Sequence, residues 1–336
     1  MEVLPYILLK EKNKMTKLIA EFCQNHNGNF DFLKKMVEAA AEAGATHGKI
    51  QTIYADTIAF RPQFEEGLIK NGEVKSIKRP YLDEYKRLKD LEISSTNTEI
   101  FVKICKDNDL VPMTTCFVRE HVDHLVELGF HSIKVASYDC ASFPLLEEIS
   151  KNFDEIIVST GATYDDEVIY ASKVLKDTNF SMLHCVTLYP TPLEKMHMAR
   201  MEWLRTLAPT VGYSDHSLVS ETGLLASKAA LALGAEIIER HFNLLHPSET
   251  RDGPVSINKA ELQELSNFTK LNLSDRLYKM DEDYPNWKIV IGQKNRKLSN
   301  EELLNRDYYR GRFASPRKET SSGDRMIYNW ESTPLI

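Results

Sequence analysis

Two short segments hold the residue types best suited to chemistry, Tyr213-Ser214-Asp215-His216 and Glu239-Arg240-His241-Phe242. In each, a short apolar run leads to a histidine with a carboxylate close by, Asp215 in the first and Glu239 in the second. The alanine- and leucine-rich stretch 223–234 between them reads as a helix, and two strands joined by a crossover helix are parallel. Both histidines therefore emerge from the same rim of a sheet. Imidazole binds divalent first-row metals, and two such ligands leave coordination positions free for water or substrate. One histidine at a strand end is ordinarily structural. His216 and His241 at matching ends, each near a carboxylate, point to a metal site.

The elements that must position these residues recur along the chain. Apolar strand patterns at 18–22, 47–52, 111–116, 132–136, 155–159, 181–186, 210–213 and 236–239 alternate with amphipathic helical patterns. The latter fall at 31–43, 97–107, 120–128, 144–151, 165–176, 200–207, 220–233 and 258–273. Gly44, Gly129 and Gly234 follow three of these helices, as C-terminal capping favours. Eight βα units with no run of consecutive strands predict an α/β fold, a (β/α)8 TIM barrel. Residues 1–16 read as an N-terminal extension, with Met15 opening a cleaner frame for the first strand than Met1, and 17–275 as the barrel domain. The stretch 54–95, rich in charge and tyrosine, interrupts the rhythm after the second strand and is expected to form a lid or substrate loop on the C-terminal rim. Residues 276–336 form no further βα unit and read as a linker with a short, incomplete C-terminal appendage.

Composition excludes several classes. The 336 residues are 42% hydrophobic and 27% charged, ordinary for a soluble enzyme, and the formal charge of −7 argues against a nucleic-acid partner or an anionic membrane surface. The sequence has no run of about 18 apolar residues, so no membrane span is expected. Cys23, Cys105, Cys116, Cys140 and Cys185 are odd in number and never in a CxxC pattern, which fits reduced thiols in a cytoplasmic protein.

Barrel enzymes carry their catalytic groups at the C-terminal strand ends. Here Glu21 closes the first strand pattern, and Lys49 and Gln51, two apart, share one face of the second. Thr115 lies on the third, Lys134 and then Ser137 on and after the fourth, and Ser159 on the fifth. Thr187 and Tyr189 follow the sixth, while Ser214 and Glu239 accompany the two histidines. Two lysines and several hydroxyls on one rim suit a phosphorylated, carboxylate-bearing ligand, because lysine neutralises it as a point charge and hydroxyls satisfy the remaining oxygens. The competing expectation is that Lys49 and Lys134 pair with internal carboxylates, since a buried lysine without an anion is costly.

These residues also carry a family resemblance. The string Ile19-Ala20-Glu21-Phe22-Cys23-Gln24-Asn25-His26-Asn27-Gly28 resembles the opening of the sialic acid synthase family, whose members make nonulosonic acids from phosphoenolpyruvate and a hexosamine. Lys49-Ile50-Gln51-Thr52, Ile133-Lys134-Val135-Ala136-Ser137, Pro144-Leu145-Leu146-Glu147 and Ser159-Thr160-Gly161 are similar to later motifs of that family. So are Leu183-His184-Cys185 with Tyr189-Pro190, Gly212-Tyr213-Ser214-Asp215-His216 and Glu239-Arg240-His241-Phe242, in order over residues 17 to 275.

The resemblance implies a TIM barrel, a homodimer, and a manganese or magnesium ion held by His216 and His241. It places Lys49, Thr115, Lys134, Ser137, Ser159 and Ser214 around phosphoenolpyruvate with Gln51 nearby, and Glu21, Tyr189 and Glu239 near the sugar and the reacting centre. Three features depart from the family. Thr187 stands where asparagine is frequent, which changes one phosphate contact. Asp252-Gly253-Pro254-Val255 replaces the usual Gly-Pro-Asp-His, so Asp252 is expected to serve the sugar from the other side. An antifreeze-like domain commonly lends an arginine to the partner subunit, but Arg312-Phe313-Ala314-Ser315 and Ser322-Gly323-Asp324 resemble only its beginning. The sugar end is therefore expected to lack that arginine, with Arg61, Lys70, Lys75, Lys78 and Arg79 of the 54–95 insertion as the nearest replacement.

The implied reaction condenses phosphoenolpyruvate with an acetamido hexose, N-acetylmannosamine or a 6-deoxy diacetamido sugar, to give a nonulosonic acid and phosphate. The metal would polarise the aldehyde, and the carboxylates Glu21 and Glu239 would stabilise positive character at the reacting carbon. Two alternatives stand beside it: a metal-dependent barrel hydrolase in which the histidines activate water, and a non-catalytic ligand-binding paralogue, suggested by Val255 and the short C-terminus.

Overall fold

Strands buried along their whole length, such as Ser132–Val135 and Phe180–His184, need cover on both faces. A parallel barrel jacketed by crossover helices supplies it. The computed structural model describes residues 15–319 and 323–335, so most of the expected N-terminal extension, and Ser322 of the C-terminal motif, lie outside the described residues. Its strands β1 (Lys17–Cys23), β2 (His47–Gln51), β3 (Val111–Thr115), β4 (Ser132–Val135), β5 (Glu155–Ser159), β6 (Phe180–His184), β7 (Val211–Asp215) and β8 (Ile237–His241) close into one parallel barrel. Each strand pairs with the next in chain order, and β8 returns to β1. The fold is the (β/α)8 TIM barrel expected from the alternating pattern.

The first crossover shows how sequence sets the jacket. Asn29 caps helix Phe30–Glu42 by accepting from the Phe32 amide, and Leu33, Met36, Val37 and Ala40 recur on the face turned to the barrel. Burying a leucine- or valine-sized side chain there contributes roughly 1.5–3 kcal/mol. Gly44, in the left-handed region at φ +85°, follows its end.

Two sequence expectations shift for physical reasons. Strands β7 and β8 run two residues further than their apolar patterns, through Asp215 and His241. The fully buried pair Arg240–Asp215, 2.5 Å apart, lets charged residues occupy the barrel wall. The helix expected over 220–233 is split into Val219–Thr222 and Leu225–Ala232 around Gly223, whose φ is +53°.

Inside the barrel, Ile19, Met113, Ile157, Leu183 and Ile237 form an apolar plug beneath the C-terminal mouth. After the helix that follows β8, Lys259–Thr269, the helix Leu273–Asp283 packs on Leu225–Ala232, so position 275 falls inside an element of the barrel's jacket. The chain then crosses the rim through helix Asn300–Tyr309 and a hairpin of Ser315–Glu319 with Gly323–Ile327. The 54–95 insertion is likewise structured, with a hairpin of Leu68–Lys70 and Glu73–Ser76 and a helix Tyr81–Leu91. The two additions hold each other: the Ala59 amide donates to the Arg312 carbonyl at 2.9 Å, and Ala314 to Thr57 at 2.9 Å. Among the described residues no helix is long and apolar enough to cross a membrane.

Candidate active site

Above the apolar plug the inward-facing positions turn polar. They line a cavity of about 440 Å³ at the C-terminal mouth. The residues assigned to the site from the strand ends and the motifs all reach it: Glu21, Lys49, Gln51, Thr115, Lys134, Ser137, Ser159, Thr187, Tyr189, Ser214, His216, Glu239, His241 and Asp252. Strand register explains most of this convergence. Glu21 pairs across to His241 on one side and Lys49 on the other, Gln51 lies opposite Thr115, Thr115 opposite Lys134, and Glu239 opposite Ser214.

The charged floor is internally paired. Lys49 forms a buried ion pair with Glu21 and donates to Thr115 Oγ1 at 3.1 Å. Lys134 donates to Ser159 Oγ at 2.7 Å and lies 3.7 Å from Glu239, which accepts from Ser214 at 3.0 Å. The lysines therefore do meet internal carboxylates, as the competing expectation held. The pairing does not neutralise the cavity: Lys49, Lys134, Arg79, Arg87, Arg251 and Arg312 face it against Glu21, Asp139, Glu239 and Asp252. With Glu84 behind the lining, on which Arg87, Arg251 and Arg312 converge, the balance is six cations to five carboxylates, still in favour of an anionic ligand.

Burial pulls the Lys49 ammonium down to about 7, with Lys134 adding to the shift and Glu239 opposing it; contact with Glu21 also favours the charged form. Burial alone would raise Glu239, but Lys134 and Lys49 outweigh it and hold the carboxyl near 2. Burial and the neighbouring His241 lower His216 to about 3, so its imidazole is neutral. The wall beside Ser137 requires a glycine. A Cβ on Gly161 would lie 2.6 Å from Cys185 Sγ and 2.7 Å from Thr187 Cγ2, and the Gly161 amide donates to Ser137 Oγ at 3.2 Å.

The donor set fits a metal ion. His216 and His241 stand with ring centroids 5.5 Å apart. His216 Nε2 shares a 2.9 Å hydrogen bond with the Tyr189 hydroxyl, while buried His241 Nδ1 has no protein partner. Among the described residues, Cys23, His241 and Asp252 form a cluster of three potential ligands, with one atom from each lying within 4.8 Å of the others.

Arginine also reaches the mouth from within this chain. Arg312 of this same chain lines the cavity and pairs with Glu84 of the insertion. Of the five insertion cations considered, Arg79 alone lines the pocket. Arg61 donates to the carbonyls of Tyr308 and Arg310, and Lys75 and Lys78 pair with surface Glu73 and Glu66. Position 255 is not vacant for a sugar contact, because Val255 is buried in the turn Gly253–Val255, whereas Asp252 faces the cavity. Thr187 Oγ1 is buried without a partner, and its carbonyl accepts from Asn305 of the C-terminal segment at 2.7 Å.

Sequence reasoning missed Cys23, Arg87, Arg251 and Asn305 as pocket residues. Cys23 carried a usable signal, since it lies two positions beyond Glu21 and shares its face.

A closed parallel barrel with paired buried charges and a metal-competent cluster at its C-terminal mouth defines a TIM-barrel enzyme. Residues 36–273 match the NeuB family, and the chain belongs to that family, the sialic acid synthases. It is accordingly a synthase of the transferase class. It is 32% identical over 262 residues to the N,N'-diacetyllegionaminic acid synthase of Campylobacter jejuni, covering 75% of each chain. To the human N-acetylneuraminate-9-phosphate synthase it is 28% identical over 265 residues, 76% of this chain and 69% of that one. Among solved structures, the Bacillus subtilis spore coat polysaccharide biosynthesis protein SpsE aligns with a TM-score of 0.70 at 21% identity, over 95% of this chain and 88% of that one. The N-acetylneuraminic acid synthetase of Leptospira borgpetersenii aligns at 0.66 and 24%, over 88% and 92%. At these identities the structural matches speak to the fold alone.

Proposed function

We propose that the protein condenses phosphoenolpyruvate with an acetamido hexose to give a nonulosonic acid and inorganic phosphate. The observation that carries this is the cavity's excess of cations over carboxylates, centred on two buried lysines beside Glu239 and His241. Lys49 and Lys134 hold the phosphate and carboxylate, with Thr115, Ser137, Ser159 and Ser214 satisfying remaining oxygens. This fixes C3 toward the acceptor aldehyde, chiefly a positioning contribution. A divalent metal bound beside His241 would supply Lewis-acid polarisation of the aldehyde oxygen. C3 bonds to the aldehyde carbon, and Glu21 and Glu239 stabilise the positive character that develops at C2. Water adds at C2, and the phosphate leaves.

Relatives bearing the names of legionaminic, pseudaminic and N-acetylneuraminate-9-phosphate synthases support this reaction class. The same family relationship supports a homodimer working in the cytoplasm, and light scattering of the purified protein tests the dimer. The deciding experiment is phosphate release from phosphoenolpyruvate with a panel of hexosamines. Sugar-dependent release is expected. Release without sugar would favour a hydrolase, and none with any sugar a binding protein.

A further inference from the structure

We infer that the metal of this pocket is held through a cysteine thiolate, with Cys23 and Asp252 joining His241, so that the centre selects thiophilic divalent ions over magnesium. Cys23 ends β1 and His241 ends β8, which pair where the barrel closes. Asp252 returns over them from the loop after β8, 229 residues from Cys23 in sequence, and the Cys23 thiol donates to its Oδ2 at 2.9 Å. One ligand atom from each residue lies within 4.8 Å of the others. A tetrahedral ion with bonds of about 2.0–2.3 Å needs ligand atoms about 3.3–3.8 Å apart. The Cys23–Asp252 pair, at 2.9 Å, is already closer than that.

An independent observation points to a ligand at this spot. His241 is only 5% exposed, yet its Nδ1 has no hydrogen-bond partner, an arrangement that is costly unless something else satisfies it. Cys23 also occupies the left-handed region at φ +50°, where a side chain costs roughly 1–2 kcal/mol and glycine would not. By contrast, His216 Nε2 is already engaged by the Tyr189 hydroxyl and Nδ1 faces the Val186 carbonyl at 3.4 Å.

The exchange balances simply. The incoming M²⁺ takes the place of the thiol proton, so one S–H bond breaks, one metal–sulfur bond forms and one proton passes to solvent. A sulfur, nitrogen and carboxylate set suits Zn²⁺, Co²⁺ or Fe²⁺, whereas Mg²⁺ demands oxygen ligands. This inference rests on the synthase reading only for what the ion does; its ligands are measurable without substrate.

The test is Co²⁺ titration of the full-length protein after removal of metal by a chelator. The wild type should bind one ion with thiolate-to-cobalt charge-transfer absorption in the near ultraviolet. Cys23→Ser should lose that absorption and bind at least about tenfold more weakly, with unchanged circular dichroism and melting. Asp252→Asn should keep the absorption and weaken binding about tenfold, and His216→Ala should keep the absorption. Absence of cobalt binding, absence of the band in the wild type, or its persistence in Cys23→Ser overturns the ligand set. Phosphate release measured in parallel separates the two readings. The band without turnover removes the synthase reading alone, and turnover without the band removes the thiolate alone.

Discussion

At the floor of the pocket, Glu21, Lys49, Lys134 and Glu239 stand on barrel strands, buried and paired, whereas Arg79, Arg87, Arg251 and Arg312 at the mouth hang on segments between or beyond the strands. The floor groups are held by backbone ladders whose register leaves no freedom. The mouth is held by side chains converging on Glu84, which meets Arg312, Arg87 at 3.1 Å and Arg251 at 3.7 Å. Breaking a buried pair costs about 3–5 kcal/mol, while an exposed one contributes about 0–1 kcal/mol. The floor thus depends on strand register and the mouth on docked segments, where the Arg312–Glu84 pair is buried and Arg87 and Arg251 stay partly exposed.

The harshest test of the floor is metal removal: chelation should reduce turnover to background, with restoration by added divalent ion, and full activity after chelation would remove the metal from the account. Next in size, Lys134→Met should weaken phosphoenolpyruvate binding on the order of 100-fold by calorimetry, from losing a charged donor in a dry site. Because Glu239 then keeps only the Ser214 hydrogen bond and the field of Lys49, the fold should lose up to about 3–5 kcal/mol as well, and adding Glu239→Gln should return most of it in denaturant melts. Unchanged ligand affinity would make Lys134 purely structural.

A smaller effect follows from Lys49, pulled down to about 7 by burial. An anion binds its charged form, so phosphoenolpyruvate affinity should fall above pH 7, by up to about tenfold per unit. The same shift has the opposite sign for stability. Between about 7 and the ordinary value of 10.5 the unfolded lysine binds more protons, so this group's contribution rises with pH. Flat phosphoenolpyruvate affinity from pH 6 to 9 would show that Glu21 keeps the lysine charged. Smallest is the mouth: Arg312→Ala should raise the acceptor KM about fivefold, because Arg87 and Arg251 stay on Glu84, and leave phosphoenolpyruvate affinity intact. If both constants moved together, floor and mouth would be a single unit.

The floor was legible in the primary structure because strand alternation is local. Two-residue spacing puts Lys49 beside Gln51, and a strand's apolar run tells where its rim residue emerges. The two apolar runs ending near Asp215 and Glu239 likewise marked where the histidines would surface. Even there, the strand limits at Asp215 and His241 depended on the Arg240–Asp215 pair, which no apolar pattern records. The mouth left no comparable trace. Arg312 meets Glu84 across 228 residues, Asn305 reaches Thr187 across 118, and Cys23 finds Asp252 across 229. Such contacts come from docking irregular segments over a finished barrel, through backbone bonds such as Ala59 to Arg312 and ion pairs whose partners have no fixed spacing. Periodicity therefore specifies the barrel and the charges on its rim, whereas closure of the rim by the insertion and the C-terminal segment is decided by which distant polar groups satisfy one another once the barrel has formed.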